Sequence, residues 1–294
     1  MKQIIFLLLF AVVAGFGISQ CATVSSSAKK SEIGFVDAEY ECSYKFKFLD
    51  DTIKMIQGIE DEIKVKIGGD LSCQYSYNTF WWDSASTAVQ NTRNHEAIEK
   101  FYRADMERTS NFGTREDGRS RVNFYGKLRL YKDYQRKKIV VLDNISIHSF
   151  LYEEELAPQV WTIQDDTMTL SGYLCQKAIC DYRGRSYEAW FTSDIPIYEG
   201  PWKFYGLPGL IMKLHDTQHH YEFELIEFKK INEKIDVRSL SDNKLTKMER
   251  EKFYEMKFGK KSGLIMESDM AKVGFTSSSS GSSTIQHQFI ERDF

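Results

Sequence analysis

Val36-Asp37-Ala38-Glu39-Tyr40-Glu41-Cys42-Ser43-Tyr44-Lys45-Phe46-Lys47-Phe48 places an apolar or aromatic side chain at every even position, with charged residues at most of the odd ones. Successive side chains of a strand point to opposite faces, so this alternation predicts a half-buried antiparallel strand. Ile63, Val65 and Ile67 repeat it until Gly68-Gly69 ends the run. Consecutive strands of this kind make a meander.

Further strands are expected over Val122 to Tyr131 and Lys138 to Leu142, joined by an exposed turn from Lys132 to Lys137. A hairpin follows from Tyr173 to Cys180 and Ser186 to Thr192 around Asp181 to Gly184, and another from Leu210 to Leu214 and Tyr221 to Phe228. Between residues 84 and 110 the spacing of Ile98, Phe101, Tyr102 and Met106 turns helical, which predicts a surface helix, and Lys244 to Phe258 predicts a second. Aromatics make up 14% of the chain, which favours β structure around a large core. The expected fold is therefore mainly β (α+β): a curved antiparallel sheet or half-barrel with one or two packed helices. The pattern is similar at fold level to the half-barrels of lipoprotein carriers, an analogy without functional weight.

Residues 1–20 read as a signal peptide. Lys2 precedes an uncharged stretch from Ile4 to Gln20, continuous in its apolar character only to Val13 and short of the roughly 20 residues that a spanning helix needs. Residues 21–33 read as a flexible segment, 34–275 as one β-rich domain, and 276–294 as a Ser-rich linker with a tail. The chain is thus expected to be exported to the periplasm or cell envelope. Membrane association would follow only if Cys21 were lipidated, and Gln20 before it departs from the small residue that acylation requires. A formal charge of −3 argues against nucleic acid, because phosphate binding needs a concentrated basic face.

For an exported chain, Cys42, Cys73, Cys175 and Cys180 are expected in disulfides. Cys42 with Cys73 is the easier pair to picture, on neighbouring strands. Cys175 and Cys180 would need a bulge, since residues five apart on a strand face opposite sides. Unpaired, Cys175 beside Lys177 would be a reactive-thiol candidate. His215, Asp216, His219 and His220 form a metal-like cluster: with a hairpin turn between them, His215 and His220 would face each other. The competing reading is a polar turn. Glu153-Glu154-Glu155 reads as a solvated run. No cofactor is called for, and serine-nucleophile, dinucleotide and zinc-protease fingerprints are missing.

Gly172-Tyr173-Leu174-Cys175-Gln176-Lys177-Ala178, Arg183-Gly184-Arg185, Ala189-Trp190-Phe191-Thr192, Gly200-Pro201-Trp202-Lys203-Phe204 and Gly206-Leu207-Pro208-Gly209-Leu210-Ile211 follow one another in order. Together they resemble the GLPGLI family of Bacteroidota. The resemblance implies an exported protein with no established activity, substrate or catalytic residue. The chain departs from the family's usual tail by ending Phe289-Ile290-Glu291-Arg292-Asp293-Phe294.

Gly200-Pro201 and Pro208-Gly209 are turn dipeptides, since proline fixes φ and glycine tolerates positive φ. Leu207, Leu210 and Ile211 would plug the core as the chain re-enters the sheet. Alternatively the segment is a lip over a ligand cavity lined by Trp190, Trp202, Phe204 and Tyr205. Three functions stay open. A non-enzymatic envelope protein binding a lipid or other apolar molecule needs an open apolar cavity. An interaction module for an envelope protein partner needs a filled core. A metal-dependent or hydrolytic enzyme needs acids, histidines or cysteines converging on one cleft.

Overall fold

The computed structural model describes residues 34–51, 56–57, 60–110, 128–145, 148–241 and 245–258. The expected signal peptide, the segment 21–33 with Cys21, most of the expected strand from Val122, and the Ser-rich linker and tail lie outside the described residues.

The strands are β1 (Phe35–Asp51), β2 (Ile56–Gln57), β3 (Asp61–Gly68), β4 (Leu71–Ser76), β5 (Arg129–Asp133), β6 (Lys138–Ile145), β7 (His148–Glu155), β8 (Thr162–Leu170), β9 (Tyr173–Tyr182), β10 (Arg185–Thr192), β11 (Leu210–Asp216), β12 (Tyr221–Asp236) and β13 (Thr246–Lys247). They form one open sheet in the order β13-β7-β6-β5-β4-β3-β1-β12-β11-β10-β9-β8, with β2 attached to β1. Neighbours are antiparallel except β13, which joins β7 in parallel. The long β1 lies at the centre, held by β3 on one side and β12 on the other.

The sheet curls until its far ends approach. Arg183, in the turn between β9 and β10, reaches Glu154 of β7 at 2.8 Å, although these strands stand near opposite ends of the order. Residues 156–161 alone connect β7 to β8. The inner face carries the main core, in which Cys42, Tyr44, Phe46 and Phe48 of β1 meet Ile63, Val65, Leu130, Val141, Tyr187, Leu214 and Phe223. The alternating β1 reading accounts for this face. Ala38, beyond a register irregularity between Ala38 and Tyr40, instead joins a second cluster with Cys73, Tyr131, Leu142, Leu151 and Ile235.

Two helices, α1 (Tyr77–Asn91) and α2 (His95–Ser110), replace the expected single one. The break falls at Arg93, whose φ is +53°, and Asn94 restarts the helix by accepting a 3.2 Å hydrogen bond from the Ala97 amide. A third helix, α3 (Arg250–Phe258), begins later than the sequence suggested because Thr246–Lys247 pair with β7. Phe253 and Tyr254 of α3 pack on Phe150 and Tyr152.

Three expectations need correction. Lys132 is not in an exposed turn: it continues the inward parity of Leu130 on β5 and is 1% exposed. Glu154 is not solvated, because β7 extends through it and turns its side chain to buried cations. The pairing of Cys42 with Cys73 is geometrically closed. Cys42 stands opposite Val65, whereas Cys73 stands opposite Lys66, the next residue of β3, so the two thiols leave opposite faces. The four described cysteines are buried free thiols. Between Gln176 and Tyr182, β9 keeps unbroken register with β10, so no bulge there carries Cys180 toward Cys175.

Candidate functional site

Between the end of β10 at Thr192 and the start of β11 at Leu210 the chain leaves the sheet and crosses its inner side. Its backbone folds on itself: the Ile197 amide donates to Ile195 O, the Glu199 amide to Ile197 O, and Glu199 bridges to Tyr205. Gly209, at φ +148°, closes the excursion; a β-carbon there would lie 1.9 Å from Thr192 O, so the return into the sheet admits only glycine. Trp202 adopts φ +55°, a costly conformation for a bulky residue that the surroundings must impose.

Those surroundings are side chains from distant strands. Lys132 of β5 donates to the Glu199 carboxylate, to Gly200 O at 2.8 Å and to Phe204 O at 3.0 Å. The other Glu199 oxygen accepts from the Tyr134 hydroxyl at 2.6 Å. Gln74 of β4 accepts from the Trp202 amide at 2.6 Å. Gln159 both donates to Lys203 O and accepts from the Tyr205 amide, each at 3.1 Å, and the Trp161 indole donates to Tyr205 O at 3.0 Å. The Tyr44 hydroxyl donates to Ile211 O at 2.8 Å. A backbone segment buried without sheet partners would leave costly unpaired groups, and these side chains supply the missing bonds.

Burial holds Lys132 below the ordinary lysine range, a pull that its partner Glu199 partly opposes. Burial, then the Glu199 charge, push the Tyr134 hydroxyl well up. A second ionic knot lies beside the first, where Glu154 meets Lys203, Arg183 and Arg250.

Residues 182–213 match a family of unknown function. Its description reads "Protein of unknown function (Porph_ging)", and the match runs from the end of β9 through β10 and the crossing segment into β11. It includes Gly206–Ile211, on which the GLPGLI resemblance rests, but not Gly172–Ala178. No curated protein matches the chain. Among solved structures, PNGF-II aligns in its C2 crystal form at 16% identity and TM-score 0.47, over 74% of this chain and 32% of that one. Its P21 form aligns at 16% identity and TM-score 0.46, over 75% and 33%. The chain thus spans about a third of the PNGF-II chains it matches.

Within the matched segment, Trp202, Phe204, Leu207, Leu210 and Ile211 are all buried in the main core. Phe204 is 0% exposed, its ring 4.5 Å from that of Tyr187 and 5.2 Å from that of Tyr182. Trp190 is a buried member of the same core cluster as Trp202, Phe204 and Tyr205. It shares a strand face with Glu188, to which its indole donates at 3.0 Å, and Lys177 lies over its ring. All four aromatics are packed side chains, none more than 9% exposed.

Arg185 is buried and donates to Asp216 at 2.8 Å. Gly172 and Tyr173 lie at the β8–β9 turn, and Gly200 packs against Ile211, where a β-carbon would come within 2.6 Å of its side chain. Cys175 is buried beside Lys177, but Lys177 is engaged with Glu188 at 2.6 Å, and burial raises the thiol; neither activates it as a nucleophile.

His215 and His220 do not face each other. His215 is paired with Glu222 across the hairpin, stacks on His219 at 4.2 Å and approaches Glu188 at 3.4 Å. His220 lies against Arg185 and Asp216. Among the described residues no group of three or more His, Cys, Asp or Glu side chains is placed to hold a metal ion.

Sequence reasoning missed Lys132, Gln74, Tyr134, Gln159 and Glu154. For Lys132 and Tyr134 a signal existed: they continue the Leu128, Leu130 parity, which places them on the inner face. Ser72, Gln74 and Ser76 form a polar inward row on β4, legible only once the opposite face, with Leu71, Cys73 and Tyr75, is known to pack.

Proposed function

We propose that the chain is a binding protein of the cell envelope that works through contact between polypeptides on its outer surface, not by carrying an apolar ligand inside its sheet. The observation that carries this reading is the occupied inner side. Residues 195–211 fill the concavity with Trp202, Phe204, Leu207 and Ile211, and side chains from β1, β4 and β5 tie their backbone down. A lipid would have to displace this segment together with its ionic contacts.

The interior acids and bases are likewise engaged with one another, Lys132 with Glu199 and Lys203 with Glu154, which supports binding over catalysis. The envelope address rests on the uncharged stretch from Ile4 to Gln20. Native mass spectrometry of the folded chain, gently purified from an envelope fraction, tests the reading. The expected result is the mass of the polypeptide alone. A stoichiometric lipid or other apolar molecule travelling with it would overturn the reading in favour of a carrier.

A further inference from the structure

The two ends of the sheet are finished differently. At one end, β7 is covered by β13 and by the aromatic face of α3. At the other, β8 pairs only with β9 among the described residues, and every residue from Asp165 to Thr169 is exposed. A free strand edge is a row of unpaired backbone donors and acceptors, and proteins ordinarily blunt it.

β8 is blunted only in its middle. Ile163 stands opposite Ala178 and Thr167 opposite Gln176, so three residues of β8 face a single one, Lys177. This bulge breaks the edge and displays Asp165 and Asp166, both exposed, with Lys177 of β9, whose closer partner is Glu188, feeling the Asp166 charge. Beyond it, Thr167 to Leu170 run in regular register against Gln176 to Tyr173. Large apolar side chains are exposed here on both faces: Met168, 38% exposed, on the face of Cys175, and Ile163, 46%, with Leu174 of the adjoining β9, 63%, on the other.

Deepening the reading of an outer binding surface, on which it rests, we infer that the edge of β8 from Thr167 to Leu170 receives an extended strand of a partner polypeptide carrying apolar and basic side chains. The strand edge recognises backbone, as in other cases of strand addition. Met168 takes its apolar residues. The Asp165–Asp166 bulge selects lysine or arginine next to it.

The test uses the folded full chain, a synthetic peptide of alternating valine and lysine, and its valine–glutamate counterpart. Hydrogen exchange with the basic peptide should slow amides within residues 167–170. Its affinity should exceed that of the acidic peptide at least tenfold and fall as salt rises. In the exposed-site variant Asp165→Lys/Asp166→Lys the preference should invert, and Asp165→Asn/Asp166→Asn should abolish it. Binding of neither peptide, equal binding of both, protection elsewhere, or a preference unchanged in these variants would overturn the inference. A lipid found by native mass spectrometry would sink the underlying reading whatever the peptides do, whereas failed peptide binding with a clean polypeptide mass sinks this inference alone.

Discussion

Lys132 and Glu199 form an ion pair in the interior of the sheet with their side chains 1% and 2% exposed, although 67 positions separate them in the chain. The pair joins β5 to the segment that crosses the inner face. Removing one partner strands the other charge away from water, a loss of about 3–5 kcal/mol, whereas replacing both by apolar residues is far cheaper. Lys132→Met and Glu199→Met are each expected to lower the urea midpoint sharply, and the double variant to recover much of the loss. Additive losses in the double variant would show that the two do not act as a pair.

Gly209→Ala should be among the most damaging single-methyl changes in the molecule. The added carbon would meet the Thr192 carbonyl at 1.9 Å and would sit on a backbone at φ +148°. The expected cost is about 3 kcal/mol or more. Gly206→Ala, at φ +89° with the Pro158 side chain at 3.2 Å, should cost less. Thermal melts of the two variants give the ranking.

Stability should fall on the alkaline side. Burial raises Cys73 and Cys180 from 9.0 to about 12, and Tyr205 from 10.0 to about 12. Because the folded values exceed the unfolded ones, the stability these groups contribute is fully present below pH 9. It is lost as pH climbs from 9 toward 12. Lys132, held below its usual 10.5, works in the opposite direction and offsets part of the decline. Urea midpoints at successive pH values should drop across this window, and Cys180→Ala should flatten the drop. A flat profile in the parent protein would contradict the burial of these groups.

Alkylation in denaturant without reductant, followed by peptide mapping, should modify Cys42, Cys73, Cys175 and Cys180 alike. In the folded protein all four should react slowly, since each is buried. Recovery of a Cys42–Cys73 cross-link would contradict their placement on opposite faces of the sheet.

The strands with strict alternation were readable from sequence because one face of each meets the core and the other meets water: β1, β3 and the β9–β10 and β11–β12 hairpins follow directly. β8 was missed because seven of its nine residues are exposed, leaving its Thr-Ile-Gln-Asp-Asp-Thr-Met-Thr-Leu with no buried face to impose a period. The crossing segment was recognisable as a turn-rich plug from its prolines, glycines and leucines. Its anchors were not, because nothing local marks Gln74 or Glu154 as the partner of a residue dozens to more than a hundred positions away. The histidines misled for a related reason. Register assigns Glu222 to His215, and a turn drawn one residue differently moves every cross-strand partner.

The central place of β1 governs the order in which this chain can fold. Its seventeen residues are made before those of every other strand of the sheet, yet one whole side of the strand stays unpaired until Tyr221–Asp236 has emerged, since those residues form β12. Loop closure over such a span is slow, so high contact order is built into the topology. Until it closes, Tyr44, Phe46 and Phe48 are an aromatic strand with an open edge, the kind of surface on which chains associate wrongly. A factor that binds residues 35–51 while the later strands are still being made would therefore serve the protein before it has any fold of its own.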